Sequence, residues 1–304
     1  MTTFEEVVHR IMNNNVILEK NNAILVITDE STKSLAVCFY EALEEEGWNT
    51  AIVVMSDRTK SGEEPPTNVA EQMLEYDLVF CLTKHSLTHT IARRKASEKG
   101  ISVITMPGIN KDMFLNGAIN ADYCRVERET VEVANKLTEA TSLVIHTGKQ
   151  CELHIPLGER KGIASTGVFR QKGASGNLPS GEAFIAPVEY SAEGTIEING
   201  SIAGIGLVYE PTILTIKKGR LDNATGPIGD KVLHMLGEDS GRLLAELGIG
   251  TNYNARVTGH ILEDEKAYNT IHVAFGSNHT FGGNIYANVH IDCVTKNPKL
   301  KWQM

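Results

Sequence analysis

Near the C-terminus, Val289-His290-Ile291-Asp292-Cys293 alternates apolar and polar residues. In a strand that pattern puts His290 and Asp292 on one face and Val289, Ile291 and Cys293 on the other. An imidazole and a carboxylate about 7 Å apart along a strand can converge on one or two metal ions; a solvated sheet face would carry the same pair. Thr270-Ile271-His272-Val273-Ala274-Phe275-Gly276 has a similar design. Ile271, Val273 and Phe275 form its apolar face, and His272 shares the opposite face with Ala274 and Gly276, small residues that leave space beside the ring. His279 follows seven residues later, past the turn-like Gly276-Ser277-Asn278, where taken alone it reads as an exposed loop histidine.

Two glutamates extend the inventory. In Leu243-Leu244-Ala245-Glu246-Leu247-Gly248-Ile249-Gly250, Glu246 lies opposite the apolar face, flanked by Gly248 and Gly250, which are expected to clear room for a ligand or a metal. Glu182 stands in the apolar stretch Pro179-Ser180-Gly181-Glu182-Ala183-Phe184-Ile185. A carboxylate in such surroundings needs a charged partner, and neither stretch contains a Lys or Arg, although a structural salt bridge stays open for both. Glu182, Glu246 and Asp292 with His272, His279 and His290 then form a mixed oxygen and nitrogen donor set. Three carboxylates balance two divalent cations and one hydroxide. Such donors suit Zn, Co, Mn or Fe better than Ca, and the absence of thiolates argues against a structural zinc.

The elements that must position these residues divide the chain in two. The first half alternates strand-like runs (Ala23 to Thr28, Thr50 to Met55, Asp77 to Leu82, Ile101 to Met106) with helix-like ones (Ser31 to Glu46, Asn68 to Tyr76, Ser86 to Lys99). That alternation predicts an α/β domain with a parallel sheet covered by helices. It resembles a dinucleotide-binding architecture, but no G-x-G-x-x-G follows the first strand and no GxxxxGK[ST] loop occurs, so no nucleotide is expected. A last helix, about Val126 to Ala140, leads into Ser142 to His146. From about residues 148–162 onward, short glycine-punctuated strands dominate, with one helix over Gly229 to Gly237. The expected layout is a Rossmann-like α/β domain over 1–150 and a β-rich α+β metal-binding domain over 151–304. The acidic runs Glu44-Glu45-Glu46 and Glu263-Asp264-Glu265-Lys266 read as solvated faces.

Composition narrows the partners. The chain of 304 residues carries a formal charge of −9, which argues against nucleic-acid binding and a polybasic membrane anchor. Its longest apolar runs, such as Ala203 to Val208, are strand-sized, and the acidic start MTTFEEVVHR lacks the features of a signal peptide. Five scattered cysteines without a CxxC pair suit reduced thiols, so a cytoplasmic location is expected.

The stretches NLPSGEAFIAPVE, AELGIGTN, NTIHVAFGSNH and ANVHIDCV, in this order and spacing, resemble the thermophilic metalloaminopeptidase family, the aminopeptidase T or PepS type. The likeness covers most of residues 160–295. It implies that the first two blocks supply glutamate ligands at Glu182 and Glu246, the third a histidine at His272, and the fourth the pair His290 and Asp292. It further implies a homodimeric enzyme in which two divalent metals (Zn, Co or Mn) activate water to release N-terminal residues from small peptides. Glu182, at a strand start beside Gly181 where it is free to move, is the expected proton shuttle. The family has a metal-binding tyrosine where this chain has His279, and the chain is shorter than typical members, which implies trimmed loops around the substrate site. A cousin of the same fold, the non-haem Fe(II) enzyme that opens the ring of 2,5-dihydroxypyridine, implies an alternative: a 2-His-1-carboxylate iron centre built from His290, Asp292 and one of His272 or His279. That relative carries a histidine where this chain has Glu246, so the presence of both glutamates favours the dinuclear hydrolase. A third reading is a non-catalytic binding protein, which the complete ligand set disfavours.

Overall fold

The computed structural model describes residues 2–304, which form a mixed α/β protein with one parallel and two antiparallel sheets. Two compact units emerge, and their border departs from a division at residue 150. The first comprises the chain up to Cys124 together with Gly167–Ser180; the second comprises Arg125–Thr166 and Gly181–Met304. The last helix expected for the N-terminal domain (observed at Tyr123–Glu139) therefore falls almost wholly in the second unit. So does Ser142–Thr147, which pairs in a hairpin with Cys151–Pro156 across the expected border.

In the first unit, Ala23–Asp29 pairs in parallel with Asn49–Met55 on one side and Leu78–Leu82 on the other. Ser102–Thr105 and Ser175–Asn177 follow outward, also parallel. Ala23 to Ile27 and Leu78–Leu82 are continuously apolar because both sheet faces are covered. Leu25, Ile27, Val79 and Cys81 pack with Val69, Met73, Ala92 and Ala96 of the helical segments on one side. Phe80 meets Phe39 of the helix Lys33–Glu45, with ring centroids 4.9 Å apart. Ser175–Asn177, the fifth strand, comes from the segment that returns after the helix Tyr123–Glu139, a detour that strand and helix patterning does not reveal.

The second unit packs two antiparallel sheets around one core. A six-stranded sheet runs in the order Arg220–Ala224, Thr212–Lys217, Glu193–Ile198, Cys151–Pro156, Ser142–Thr147, Lys299–Gln303. The seven-stranded sheet contains, side by side, His290–Lys296, Thr270–Gly276, Leu244–Gly250 and Glu182–Ile185. From the last sheet Leu247, Ile249, Ile271, Val273, Phe275 and Cys293 point into the core, where they join Leu153, Ile196 and Leu214 of the first. The apolar faces read from the sequence are thus the inner faces, and the polar positions between them lie on the outer one. The five cysteines are unpaired, and no helix of the described residues is long and apolar enough to cross a membrane.

Candidate metal centre

Strand register assembles the site. Across the seven-stranded sheet, Glu246 and Asp292 both stand opposite Ala274, one on each side. His272 stands opposite Gly248, His290 opposite Gly276, and Glu182 opposite Gly250. Each functional side chain therefore has a glycine or alanine as its cross-strand neighbour, and the space so cleared is filled by protein. A Cβ at Gly248 would overlap the Cε1 and Nε2 atoms of His272, and one at Gly250 would overlap the backbone of Lys266 and Ala267. This corrects the expectation that the two glycines open room for a ligand: they let the His272 ring and a neighbouring chain segment lie flat on the sheet. Gly248→Ala should evict the His272 ring and weaken metal binding by about tenfold or more, while the apolar inner face keeps the fold. Titration of the variant with zinc checks this; unchanged affinity would show that the ring's position is immaterial.

Five of the six expected side chains converge. Glu246 is central: its Oε1 lies 3.2 Å from His272 Nε2, and its Oε2 lies 3.4 Å from His290 Nε2. His290 Nε2 is also 3.4 Å from Asp292 Oδ1, and His272 Nε2 is 3.7 Å from Glu182 Oε2. These are the spacings of ion pairs between protonated imidazoles and carboxylates. Two donors each about 2.0–2.2 Å from a shared cation at a tetrahedral angle would stand about 3.3–3.6 Å apart, so the same atoms could also hold a cation. The contacts link the five side chains in a row, Glu182 to His272 to Glu246 to His290 to Asp292, with one Glu246 oxygen turned to each imidazole. Among the described residues the three donors that lie mutually within 4.8 Å are those of Glu182, Glu265 and His272. Glu182 Oε2 is buried without a hydrogen-bond partner among the described residues, an acceptor left open for a cation. His290 donates from Nδ1 to the Ser277 carbonyl at 2.8 Å, which leaves Nε2 as the lone-pair nitrogen when the ring is neutral. Its side chain is 31% exposed, against 1% for His272, so the centre opens to solvent on the His290 side.

His279 does not join them. Its ring is exposed, stacks on Tyr286 with centroids 4.5 Å apart, and places Nδ1 2.8 Å from Ser277 Oγ. The neighbour Asn278 turns inward instead, donating to the Ala245 carbonyl and accepting from the Ile285 backbone N–H, and so fixes the loop with His279 outward.

The largest departure concerns the run Glu263-Asp264-Glu265-Lys266. Far from a solvated face, Glu263, Asp264 and Lys266 are fully buried. Asp264 accepts the backbone N–H groups of Thr258 and Gly259, and Glu263 pairs with Arg256 at 3.2 Å. Lys266 reaches Glu182 Oε1 at 2.6 Å and also bonds Glu265, supplying the cationic partner absent from the apolar stretch itself. Glu182 is accordingly pinned at one oxygen and has no free swing at its strand start. Sequence reasoning missed Lys266 and Glu265 because four consecutive charged residues have the pattern of a surface. The available signal was the isolated carboxylate at Glu182, which demanded a partner from elsewhere.

Burial and mutual charge set the proton affinities. Burial works against a charged His272, but the hydrogen bond to Glu246 and the charges of Glu182 and Glu246 outweigh it and raise the ring to about 9. Burial likewise opposes charge on His290, yet Asp292 and Glu246 lift it well above its ordinary value. Glu246, despite a burial cost, is held down to about 2 by hydrogen bonds from His272 and His290. Glu265 is pushed up to about 8 by burial, with Glu182 and Asp292 adding to the rise against the pull of Lys266. Near neutrality both imidazoles therefore carry protons that a cation must displace. Raising the pH removes this competition, so cation affinity should climb with pH, with proton release on binding. Calorimetry in buffers of different ionisation enthalpy reads the released protons; pH-independent affinity without release would contradict the assignment.

Three comparisons place the chain among known proteins. The model of the family described as thermophilic metalloprotease (M29) matches residues 117–287, more than half of the chain. No curated protein matches in sequence. Among solved structures, 2,5-dihydroxypyridine dioxygenase from Pseudomonas putida is similar in fold, with a TM-score of 0.76 at 18% identity over 98% of this chain and 92% of that one. Wild-type AmpT from Thermus thermophilus is similar with a TM-score of 0.68 at 16% identity over 99% and 94%. At such identities the two likenesses establish the fold that they share.

Proposed function

The chain belongs to the thermophilic metalloprotease (M29) family, and from that membership we propose that it is an aminopeptidase whose chemistry is done at two divalent cations held on either side of Glu246. The observation that carries the proposal is the division of donors: each Glu246 oxygen faces a different imidazole. Family membership makes the enzyme a metal-dependent peptidase; the number of cations and the cleavage of N-terminal residues are what is proposed.

Cations so placed supply Lewis acidity for a peptide carbonyl and a water acidified towards neutrality. The protein's own groups do the rest. Glu246, Asp292 and His272 are mid-strand and serve as fixed donors, with the His290 tautomer set by Ser277. Glu182 stands 3.7 Å from His272, and its Oε2 carries no hydrogen bond among the described residues. Its Oε2 is the proposed proton carrier from water to the leaving amine, while Lys266 holds Oε1. Substrate enters beside His290, the open edge of the centre. A free substrate amine held by a carboxylate of the site would limit cleavage to the N-terminal residue. The same reading includes a homodimer, which sedimentation at micromolar concentration tests.

A mononuclear 2-His-1-carboxylate iron centre would use His272, His290 and Asp292 and leave Glu182 and Glu246 without a task. The deciding experiment is an assay of chelator-stripped protein reloaded with Zn, Co or Mn on aminoacyl amides and short peptides. Release of the N-terminal residue, lost on stripping and regained on reloading, is expected. Silence with all three metals, combined with turnover of a hydroxylated aromatic by Fe(II) and oxygen, would replace this reading with the ring-cleaving one.

A further inference from the structure

The outward turn of His279 leaves the centre one donor short of the six expected, and the end of the charged run, with Glu265 largely and Lys266 fully buried, lies beside it. One carboxylate oxygen of Glu265 lies within 4.8 Å of the donor atoms of both Glu182 and His272. Lys266 has no exposed surface and bridges the two glutamates, binding one oxygen of each. Such a clamp holds two carboxylates side by side that would otherwise repel, and at Glu182 the remaining oxygen, Oε2, is buried without a partner and faces His272. An unpartnered buried acceptor next to a second carboxylate and an imidazole is a cation site with oxygen-rich donors.

We propose that Glu265 is the sixth donor of the metal centre, on the His272 side, and that Lys266 is the positioning residue that aligns Glu265 with Glu182. The inference rests on the reading of a two-cation centre and assigns it a ligand that the four sequence blocks do not contain. With a cation bound and Glu265 ionised, its charge offsets that of Lys266, so the charge balance survives the addition. His279, in this arrangement, has no part in holding the cation.

The test is calorimetric titration of the stripped protein with zinc, joined to the visible absorption of the cobalt form, which reports coordination number. Glu265→Gln is close to isosteric, and it should weaken the His272-side cation by about 10- to 100-fold and shift the cobalt spectrum, with the His290-side cation retained. Glu265→Asp, which keeps the charge and withdraws it by one methylene, guards against a folding defect and should fall between the two. His279→Ala should bind both cations within about twofold of the parent, well below the 10- to 100-fold expected when a supporting group of a metal site is lost. Parental affinity and spectrum in Glu265→Gln, or loss of a cation in His279→Ala, overturns the sixth-donor assignment while leaving the two-cation reading intact. A parent protein that takes up no divalent cation overturns both.

Discussion

Glu246→Gln should be the most damaging single substitution in the protein. Among the described residues Glu246 alone touches both imidazoles, at 3.2 and 3.4 Å, so an amide there withdraws the shared negative charge from both sides of the centre and replaces one donor oxygen with an NH2 group that cannot ligate. Losing one well-placed electrostatic group in an active site costs about 10²–10³ in kcat, and loss of both cations should cost at least about 10³. Metal content should fall together with kcat. Asp292→Asn, by contrast, should empty the His290 side and leave the His272 side occupied. The check is elemental analysis alongside peptidase assays of the two variants. A Glu246→Gln protein that keeps both its metal and its activity would mean that the carboxylate only balances the histidines.

The second large effect is on stability. Lys266 is fully buried between Glu182 and Glu265, and removing one partner of a buried ion pair leaves charge uncompensated at a cost of about 3–5 kcal/mol. Lys266→Met should therefore lower the unfolding free energy of the cation-free protein by about that amount. Lys266→Arg, which preserves the charge in a bulkier group, should lose less. Part of the loss should return when zinc is added, because a divalent cation neutralises the same carboxylates. Urea unfolding of chelated protein at neutral pH measures this; a change below about 1 kcal/mol, the range of exposed pairs, would mean that water reaches the cluster and screens it.

How much of this was legible in the sequence follows from which interactions are local. Strict alternation in Thr270–Gly276 and Val289 to Cys293 fixed which side chains share a face, and the structure keeps those faces, with His272 and His290 on the outer side. The small residues around them were visible too, but their purpose was not. Gly248 is answered by a ring on the neighbouring strand and Gly250 by the backbone of Lys266 and Ala267 in the turn before that strand, contacts that sequence patterning does not define. Lys266 was hidden for the opposite reason. Charged residues in sequence usually face water, and here Glu263 and Asp264 instead tie down the segment around Arg256 to Gly259, which carries Lys266 inward. His279 was promoted by its spacing after His272, yet the inward Asn278 decides its direction. The domain border shifted because the glycine-marked turn near Gly148 closes a hairpin within one sheet, while the chain had already changed units near Cys124. Turn signals mark where a chain bends, and membership in a core depends on pairing far along the chain.

The central claim is that Glu246 spans two cations. Anomalous diffraction at the zinc edge from zinc-loaded crystals tests it most directly. The account predicts two peaks about 3.5–4 Å apart, one beside His272 and Glu182, the other beside His290 and Asp292, with one Glu246 oxygen on each. A single peak bound by His272, His290 and Asp292, with Glu246 and Glu182 turned away, would contradict it.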